Sequence, residues 1–200
     1  DTCKNCDYTT FKTIKATGHN YQKESKKENG ITKVIYKCSK CGDSYEEGCK
    51  VLDSDDFTIN YKDYLYPTIE ITVHNNETSI VLSSLIKVSP NCTWILSKDI
   101  EGLQEIKTKN MSLSTGHNYA YVTVWSSNNE YNTVYYVDIY RLSMYTYSFV
   151  DEKQQILKTE IVEENTIIDE PNFNLSKYEH TLSWVDNNKN IVSFPYVLKN

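Results

Sequence analysis

The chain has 200 residues, of which 39% are hydrophobic and 12% aromatic, and it contains only six Gly and four Pro. This composition is too rich in core-forming residues for a disordered chain, and the length suffices for two or three small domains. The net charge of −6, with Arg141 as the sole arginine, argues against a nucleic-acid partner, because phosphate neutralisation and base reading need clustered Lys and Arg. No run of about 18 apolar residues occurs, so we expect no membrane insertion.

The N-terminal segment carries five of the six cysteines within residues 1–49. Cys3 and Cys6 form one CxxC pair, and Cys38 and Cys41 form a second. Each pair can present two thiolates from a tight turn, and together they make the four-sulfur set that Zn²⁺ prefers. We therefore predict a structural zinc ion with no open position for a substrate. Two disulfides between the pairs are the alternative, since exported small domains often carry such bonds.

Two cysteines remain outside this set. Cys49 ends the first module and Cys92 lies in a predicted loop of the second, so a disulfide between them and a pair of free thiols are both open. His19 follows a glycine in a turn-like setting. It is either a further metal ligand or switch, or a turn histidine that packs on Tyr21.

Between residues 57 and 141, apolar residues alternate with polar ones. Segments 68–73 and 119–125 follow this period of two, which is typical of strands with one buried face. The runs 119–125 and 134–140 bracket the polar residues 126–130 and predict a hairpin. Several short strands at this spacing, without a helical period, predict a β-sandwich.

The last part of the chain predicts a smaller β-unit. Strands are expected at 145–150 and 156–162 with a turn between them, and closing strands at 181–184 and 191–197. With about 57 residues, this unit is marginal for an independent core. The predicted fold class is therefore mainly β.

Three domains are expected along the chain. They are a small zinc-ribbon-like module at residues 1–50, a β-sandwich at 51–142 and a small β-unit at 143–200.

Two stretches resemble modules of bacterial surface proteins. CSKCGDSY at residues 38–45, together with ATGHNY at 16–21, resembles the CxxCG and glycine-histidine-aromatic repeats of large surface proteins from Gram-positive anaerobes. SPNCTW at 89–94, LSTGHN at 113–118 and YVDIYR at 136–141 resemble the bacterial cadherin-like β-sandwich domain. The cadherin-like family usually has a small residue where Cys92 stands, and this departure favours a local disulfide.

The last segment, residues 144–200, resembles the Listeria-Bacteroides repeat, a β-grasp-like unit related to internalin B-repeats. The resemblance rests on YTYSF at 145–149, IVEENT at 161–166 and Trp184. It implies a β-grasp-like fold for the third domain.

These resemblances imply a spacer, stalk or accessory region of a large secreted or cell-surface protein of a Gram-positive bacterium. The parent protein could itself be a peptidase or a glycosidase, and the expected partners are other domains of the same polypeptide. None of the families brings a catalytic residue, and the common hydrolase and phosphate-loop motifs are absent from the sequence, so we expect no catalysis by these residues. The chain begins at Asp1 without a signal peptide, so we expect a piece of a longer exported polypeptide.

A binding module is the alternative function. Seventeen tyrosines and three tryptophans could supply a surface for a host glycan or glycoprotein, and Tyr61, Tyr64 and Tyr66 are dense enough to be candidates. The alternation of aromatic residues within strands fits core packing or cross-strand packing equally well. Exposed aromatics in one strip would favour the binding module, whereas buried aromatics and tight contacts between domains would favour the spacer.

Overall fold

The computed structural model describes residues 18–61, 66–173 and 183–198. Within these ranges the regular structure consists of β-strands and one four-residue helix, which confirms the predicted mainly β class. The first elements are β1 (Tyr21–Glu28), β2 (Ile31–Cys38), β3 (Ser44–Gly48), β4 (Thr58–Asn60), β5 (Thr68–Val73), β6 (Ser79–Val81), α1 (Leu82–Leu85) and β7 (Thr93–Ser97). The later ones are β8 (Asn110–Ser112), β9 (Gly116–Trp125), β10 (Asn132–Arg141), β11 (Met144–Val150), β12 (Ile156–Glu163), β13 (Ile167–Ile168) and β14 (Tyr196–Val197). No helix in the described part of the chain is long and apolar enough to cross a membrane.

The first three strands form an antiparallel sheet in the order β1-β2-β3. The turn between β1 and β2 is Asn29-Gly30, and both residues have the positive φ that type I′ hairpin turns require (50° and 77°). Gly30 also lies against Pro67, since a Cβ there would come within 2.5 Å of the proline Cδ. This turn fixes the register that places Tyr21 opposite Cys38.

The central sheet has five strands in the order β4-β5-β10-β9-β7. β9 and β10 form a hairpin of ten residue pairs, as the segments 119–125 and 134–140 predict, and β5 confirms the strand at 68–73. β5 runs parallel to β10, whereas the other neighbours in this sheet are antiparallel. The two-stranded sheet of β6 and β8 packs against the same core, so the apolar side chains of both sheets are covered.

The hydrophobic core lies on one face of the central sheet, where alternate side chains of β5, β9 and β10 are almost fully buried. Burial of one Val, Ile or Leu side chain contributes about 1.5–3 kcal/mol, so these positions dominate the stability of the sandwich. The buried members are Ile31, Cys49, Val51, Phe57, Ile69, Ile71, Leu82, Ile86, Leu96, Leu113, Ala120, Val122, Val124, Tyr135, Val137 and Ile139.

The first sheet shares this core with the sandwich. Ile31 of β2 belongs to the buried cluster, and the hydroxyl of Thr32 donates to the carbonyl of Asn132 at 2.6 Å. The N–H of Thr32 donates to Oγ1 of Thr133 at 2.9 Å. The predicted first and second domains are therefore joined by packing and by the hydrogen bonds of Thr32. Just after β3, the buried N–H of Val51 donates to the hydroxyl of Tyr135 at 3.0 Å and fixes the segment that enters the sandwich.

The C-terminal unit is organised around an aromatic cluster. β11 and β12 form the predicted antiparallel hairpin, and β13 pairs with β14. Phe149 of β11 is 9% exposed, and its ring centroid lies 5.0 Å from that of Trp184, 6.0 Å from that of Phe173 and 6.1 Å from that of Phe194. These four rings supply the core that so short a unit otherwise lacks.

Two adjacent carboxylates join this unit to the sandwich. Glu163 accepts a hydrogen bond from the backbone N–H of Asn75 and pairs with Nδ1 of His74 at 2.7 Å. The hydroxyl of Tyr140 donates to Glu164 at 2.6 Å. The pairing with His74 raises the pKa of the imidazole, and the Asn75 N–H and the imidazole lower the pKa of Glu163.

The prediction of two closing strands at 181–184 and 191–197 is largely wrong. Residues 181–182 lie outside the described ranges, and residues 183–184 are not in a strand. Only Tyr196–Val197 of the second segment forms one. Asp186 Oδ1 accepts two backbone N–H groups of the loop that follows it, each at 2.8 Å. The two segments around this turn pair only through the single antiparallel bridge between Val185 and Ile191, which is too short to form strands.

Cys49 and Cys92 lie side by side where the first sheet meets the sandwich. Their side chains line the same pocket, and Cys49 is 2% exposed. Burial, followed by the interaction with Cys92, raises the pKa of Cys49 to about 12, and burial also raises the pKa of Cys92. Both are free thiols in the structure, so the disulfide stays a prediction that their contact supports.

Replacement of Tyr135 tests the hydrogen bond that fixes the segment after β3 to the sandwich core. Tyr135→Phe leaves the buried N–H of Val51 without its acceptor, so we expect the free energy of unfolding in urea to fall by about 1–3 kcal/mol. Tyr119→Phe is the matched control, because Tyr119 is 53% exposed and should change stability by less than about 0.5 kcal/mol. Equal losses in the two variants would show that this buried hydrogen bond does not contribute to stability.

Protein purified without reductant tests the predicted bond. We expect alkylation under denaturing conditions to leave Cys49 and Cys92 unmodified, and peptide mass spectrometry to find the two joined. Cys92→Ser should make Cys49 fully reactive in the same assay. Alkylation of both cysteines in the unreduced parent protein would contradict the disulfide.

The reduced protein should lose stability at alkaline pH. The folded-state pKa of Cys49 lies above the ordinary thiol value of 9.0, so above that pH the unfolded state releases a proton that the folded state retains. The urea midpoint should therefore fall as the pH rises from roughly 8 to 10. The double variant Cys49→Ser with Cys92→Ser should show a smaller fall, and an equal fall would assign the effect to other groups.

Candidate metal centre

The β2–β3 connection builds a tight turn around the second CxxC pair. β2 ends at Cys38, whose N–H donates to the carbonyl of Asp43 at 2.7 Å, and the N–H of Gly42 donates to the carbonyl of Cys38 at 2.9 Å. Gly42 has a φ of 78°, which a side chain would disfavour. The turn therefore places Cys38 and Cys41 on the same end of the first sheet.

Cys38 is the more acidic of the two thiols. Its side chain is buried, and the backbone N–H of Asn20 donates to its sulfur at 3.4 Å. Burial raises the pKa of this thiol, but hydrogen bonds from Asn20, Lys40 and Cys41 backbone groups and from the His19 ring outweigh burial and bring the pKa down to about 6. Cys38 is thus a thiolate near neutral pH, which is the form that binds metal ions.

Cys41 is exposed and stays protonated more readily than Cys38. The backbone N–H of Asp43 lowers its pKa, but the hydrogen bond with Cys38, burial and the negative charges of Cys38 and Asp43 outweigh this, so the pKa is raised. A positive ion between the two sulfurs would remove this repulsion and favour both thiolates.

His19 completes a group of three ligands. Its Nδ1 lies 3.3 Å from Sγ of Cys41, and the ligand atoms of His19, Cys38 and Cys41 all lie within 4.8 Å of one another. The imidazole stacks on Tyr21 with ring centroids 5.1 Å apart, and the Tyr21 hydroxyl donates to Asp43 at 2.6 Å. The ring therefore packs on Tyr21, as one interpretation of His19 holds, and it also lies within reach of the sulfurs, so its role as a metal ligand stays a prediction.

This group can hold a metal ion. Two sulfurs and one imidazole nitrogen are ligands that suit a tetrahedral, borderline-soft cation such as Zn²⁺. The first pair of predicted ligands, Cys3 and Cys6, lies outside the described residues. Of the four predicted sulfur ligands, the structure therefore describes only Cys38 and Cys41.

The sequence contains a signal for His19 that residue spacing alone misses. In the β1–β2 hairpin, the two residue numbers of each cross-strand pair add up to 59, as they do for Tyr21 and Cys38. Continued beyond the strand, this register brings residue 19 opposite residue 40, between the two cysteines. An Asn-Gly turn at 29 and 30 is a strong hairpin signal and would have sufficed to set the register.

Two of the predicted aromatic candidates lie in the connection between β4 and β5, at the edge of the sandwich. Tyr61 is 37% exposed, and Tyr66 is half-buried with Nζ of Lys27 5.5 Å from its ring centroid. Tyr64 lies outside the described residues. A larger group of tyrosines, which density along the sequence does not reveal, occurs on β9 and β10.

Searches against protein-family models, curated proteins and solved structures find no match to this chain.

Proposed function

We propose that the chain is a non-catalytic accessory or spacer region of a larger secreted or cell-surface protein, stabilised at its N-terminal end by a structural zinc ion. The observation that carries this proposal is the convergence of the ligand atoms of His19, Cys38 and Cys41 within 4.8 Å at the end of the first sheet.

The first sheet has little core of its own, which supports a structural role for the ion. β1 exposes seven of its eight side chains, with Tyr21 half-buried, and β3 exposes four of five. Only Ile31, Val34 and Cys38 of β2 are buried. Small modules with so little apolar burial commonly depend on a metal or a disulfide for stability.

The ligand chemistry favours a closed site over a catalytic one. Cys38 and Cys41 supply two ligands, and the CxxC pair of Cys3 and Cys6 supplies two more in the same chain. Four protein ligands leave no position for water or substrate, so the ion would hold the chain together rather than activate a reactant. His19 would then support the sulfurs by hydrogen bonding or replace one of them.

The junctions between units fit a semi-rigid spacer. Hydrogen bonds of Thr32 connect the first sheet to the sandwich at Asn132 and Thr133, and carboxylate hydrogen bonds connect the sandwich to the C-terminal unit through Glu163 and Glu164. Contacts of this kind resist bending between units more than a free linker does. Such an array would hold neighbouring domains of the same polypeptide at a fixed separation.

Metal content of the purified chain tests the proposal. We expect about one zinc per chain by elemental mass spectrometry, and a lower melting temperature after removal of the ion with a strong chelator. Cys38→Ser and Cys6→Ser should each reduce zinc affinity by more than about 100-fold, because each removes a direct ligand and loss of a supporting partner alone costs about 10–100-fold. Zinc content below one-tenth of the protein concentration, in protein purified under reducing conditions with zinc supplied, would overturn the proposal.

Two histidine variants separate a ligand from a supporting role. His19→Ala should reduce affinity as strongly as Cys38→Ser if the imidazole binds the ion, and by only about 10–100-fold if it hydrogen-bonds to a sulfur ligand. His117→Ala is the matched control, since this histidine lies on β9 and should leave zinc content unchanged. A loss of zinc in the control variant would point to unfolding rather than to ligand removal.

A further inference from the structure

The outer face of the central sheet carries a row of aromatic side chains. On β9 and β10, residues alternate between the buried core and this face, so Ala120 and Val137 point inward while their neighbours point outward. The cross-strand register aligns the outward residues of the two strands, with Tyr136 opposite Tyr121. The outward rings, called the aromatic ladder below, are His117, Tyr119, Tyr121, Tyr136 and Tyr140.

The five rings contact one another in an unbroken series. Tyr119 stacks on Tyr136 with centroids 5.4 Å apart and on His117 at 5.9 Å, with interplanar angles of 24° and 13°. Tyr121 meets Tyr136 edge to face at 5.6 Å, and Tyr140 lies 4.7 Å from His117. Each ring is thus held by at least one other, so little side-chain freedom is left to lose when a ligand binds.

The aromatic ladder faces solvent. Tyr119 at its centre is 53% exposed, and the side chain of His117 is also 53% exposed. Cross-strand ring pairs stabilise a sheet, but threonines and other β-formers do so without placing large aromatic surface in water. The other three rings, Tyr121, Tyr136 and Tyr140, are half-buried. A connected row of rings that is exposed at its centre, on an otherwise well-packed sheet, is typical of an interaction site.

Acidic groups accompany the rings. Asp138 lies in the same outward row and pairs with Nδ1 of His117 at 2.8 Å, and Glu70 of β5 lies opposite Asp138 and is exposed. The outward positions of β5, β9 and β10, all of which the structure describes, include no Lys and no Arg. Phosphate, sulfate and carboxylate ligands would therefore meet repulsion on this face.

We propose that the aromatic ladder binds a neutral glycan chain. A pyranose ring has an apolar C–H face that packs on aromatic rings and a rim of hydroxyls that need hydrogen-bond acceptors. The phenol oxygens and the carboxylates of Asp138 and Glu70 supply those acceptors beside the rings. A purely apolar partner would bury these polar groups without compensation, which argues against a lipid or an apolar peptide.

The dimensions of the face fit a short oligosaccharide. Residues 117–121 of β9 span about 14 Å at 3.4 Å per residue, which accommodates two to three sugar units. The proposed site lies on the central sheet, and it shares no residue with the His19, Cys38 and Cys41 group of the first sheet. It is therefore independent of the proposed zinc ion, and either proposal can fail without the other.

A binding assay with the full chain tests the proposal. The probes are an immobilised panel of neutral, sialylated and sulfated glycans and a lysine-rich peptide. The strongest neutral oligosaccharide is then titrated calorimetrically into the parent protein and three variants. We expect Tyr119→Ala to weaken binding about tenfold, as loss of one aromatic contact implies. Tyr119→Phe, which keeps the ring, should retain most of the affinity, and Tyr61→Ala, an exposed tyrosine at a different place, should bind like the parent protein.

The other outcomes overturn the proposal. Binding of no neutral glycan would show that the rings serve the sheet alone. Binding confined to sialylated or sulfated glycans, or to the lysine-rich peptide, would assign the face to a charged partner. Parent-like affinity of Tyr119→Ala for a neutral glycan would place the glycan site elsewhere on the chain, and Tyr61→Ala losing affinity instead would place it at the edge of the sandwich.

Discussion

The β9–β10 hairpin is the element on which the rest of the described structure depends. Its ten residue pairs are flanked by β5 on one side and β7 on the other, so these two further strands of the central sheet take their register from it. Because side chains alternate strictly along a strand, one register decides two surfaces at once. The inward row, including Val122 and Val137, makes the core, and the outward row makes the aromatic ladder.

A second hairpin imposes the same constraint on the metal-binding end. The Asn29-Gly30 turn fixes the pairing of β1 with β2, and this pairing carries His19 to the level of Cys38 and Cys41. A shift of one residue would move the histidine to the other side of the sheet. The ligand group is therefore a consequence of turn geometry at the opposite end of the hairpin, and it requires no long-range folding event.

Strong alternation of apolar and polar residues made the long strands predictable. Where this alternation is absent, the predictions were wrong. The segments 68–73, 119–125 and 134–140 alternate cleanly and are strands. The parallel pairing of β5 with β10 could not be predicted, because period-2 patterns carry no direction. The prediction of the closing strands was wrong because residues 183–198 are held by side-chain caps such as Asp186 and by aromatic packing. A short apolar run in the sequence looks the same whether it packs in this way or pairs as a strand.

Sites assembled across strands follow the same logic. The tyrosines at 61, 64 and 66 are close in sequence, whereas the aromatic ladder joins β9 to β10 through Tyr119 and Tyr136, which are 17 positions apart and contact only after pairing. Neighbours along a strand point to opposite faces, so density along the chain is a poor guide to a shared surface. The residues that form one surface of a sheet occupy alternate positions within each strand and contact one another across strands. The strand register must therefore be known before such a surface can be identified from the amino-acid sequence.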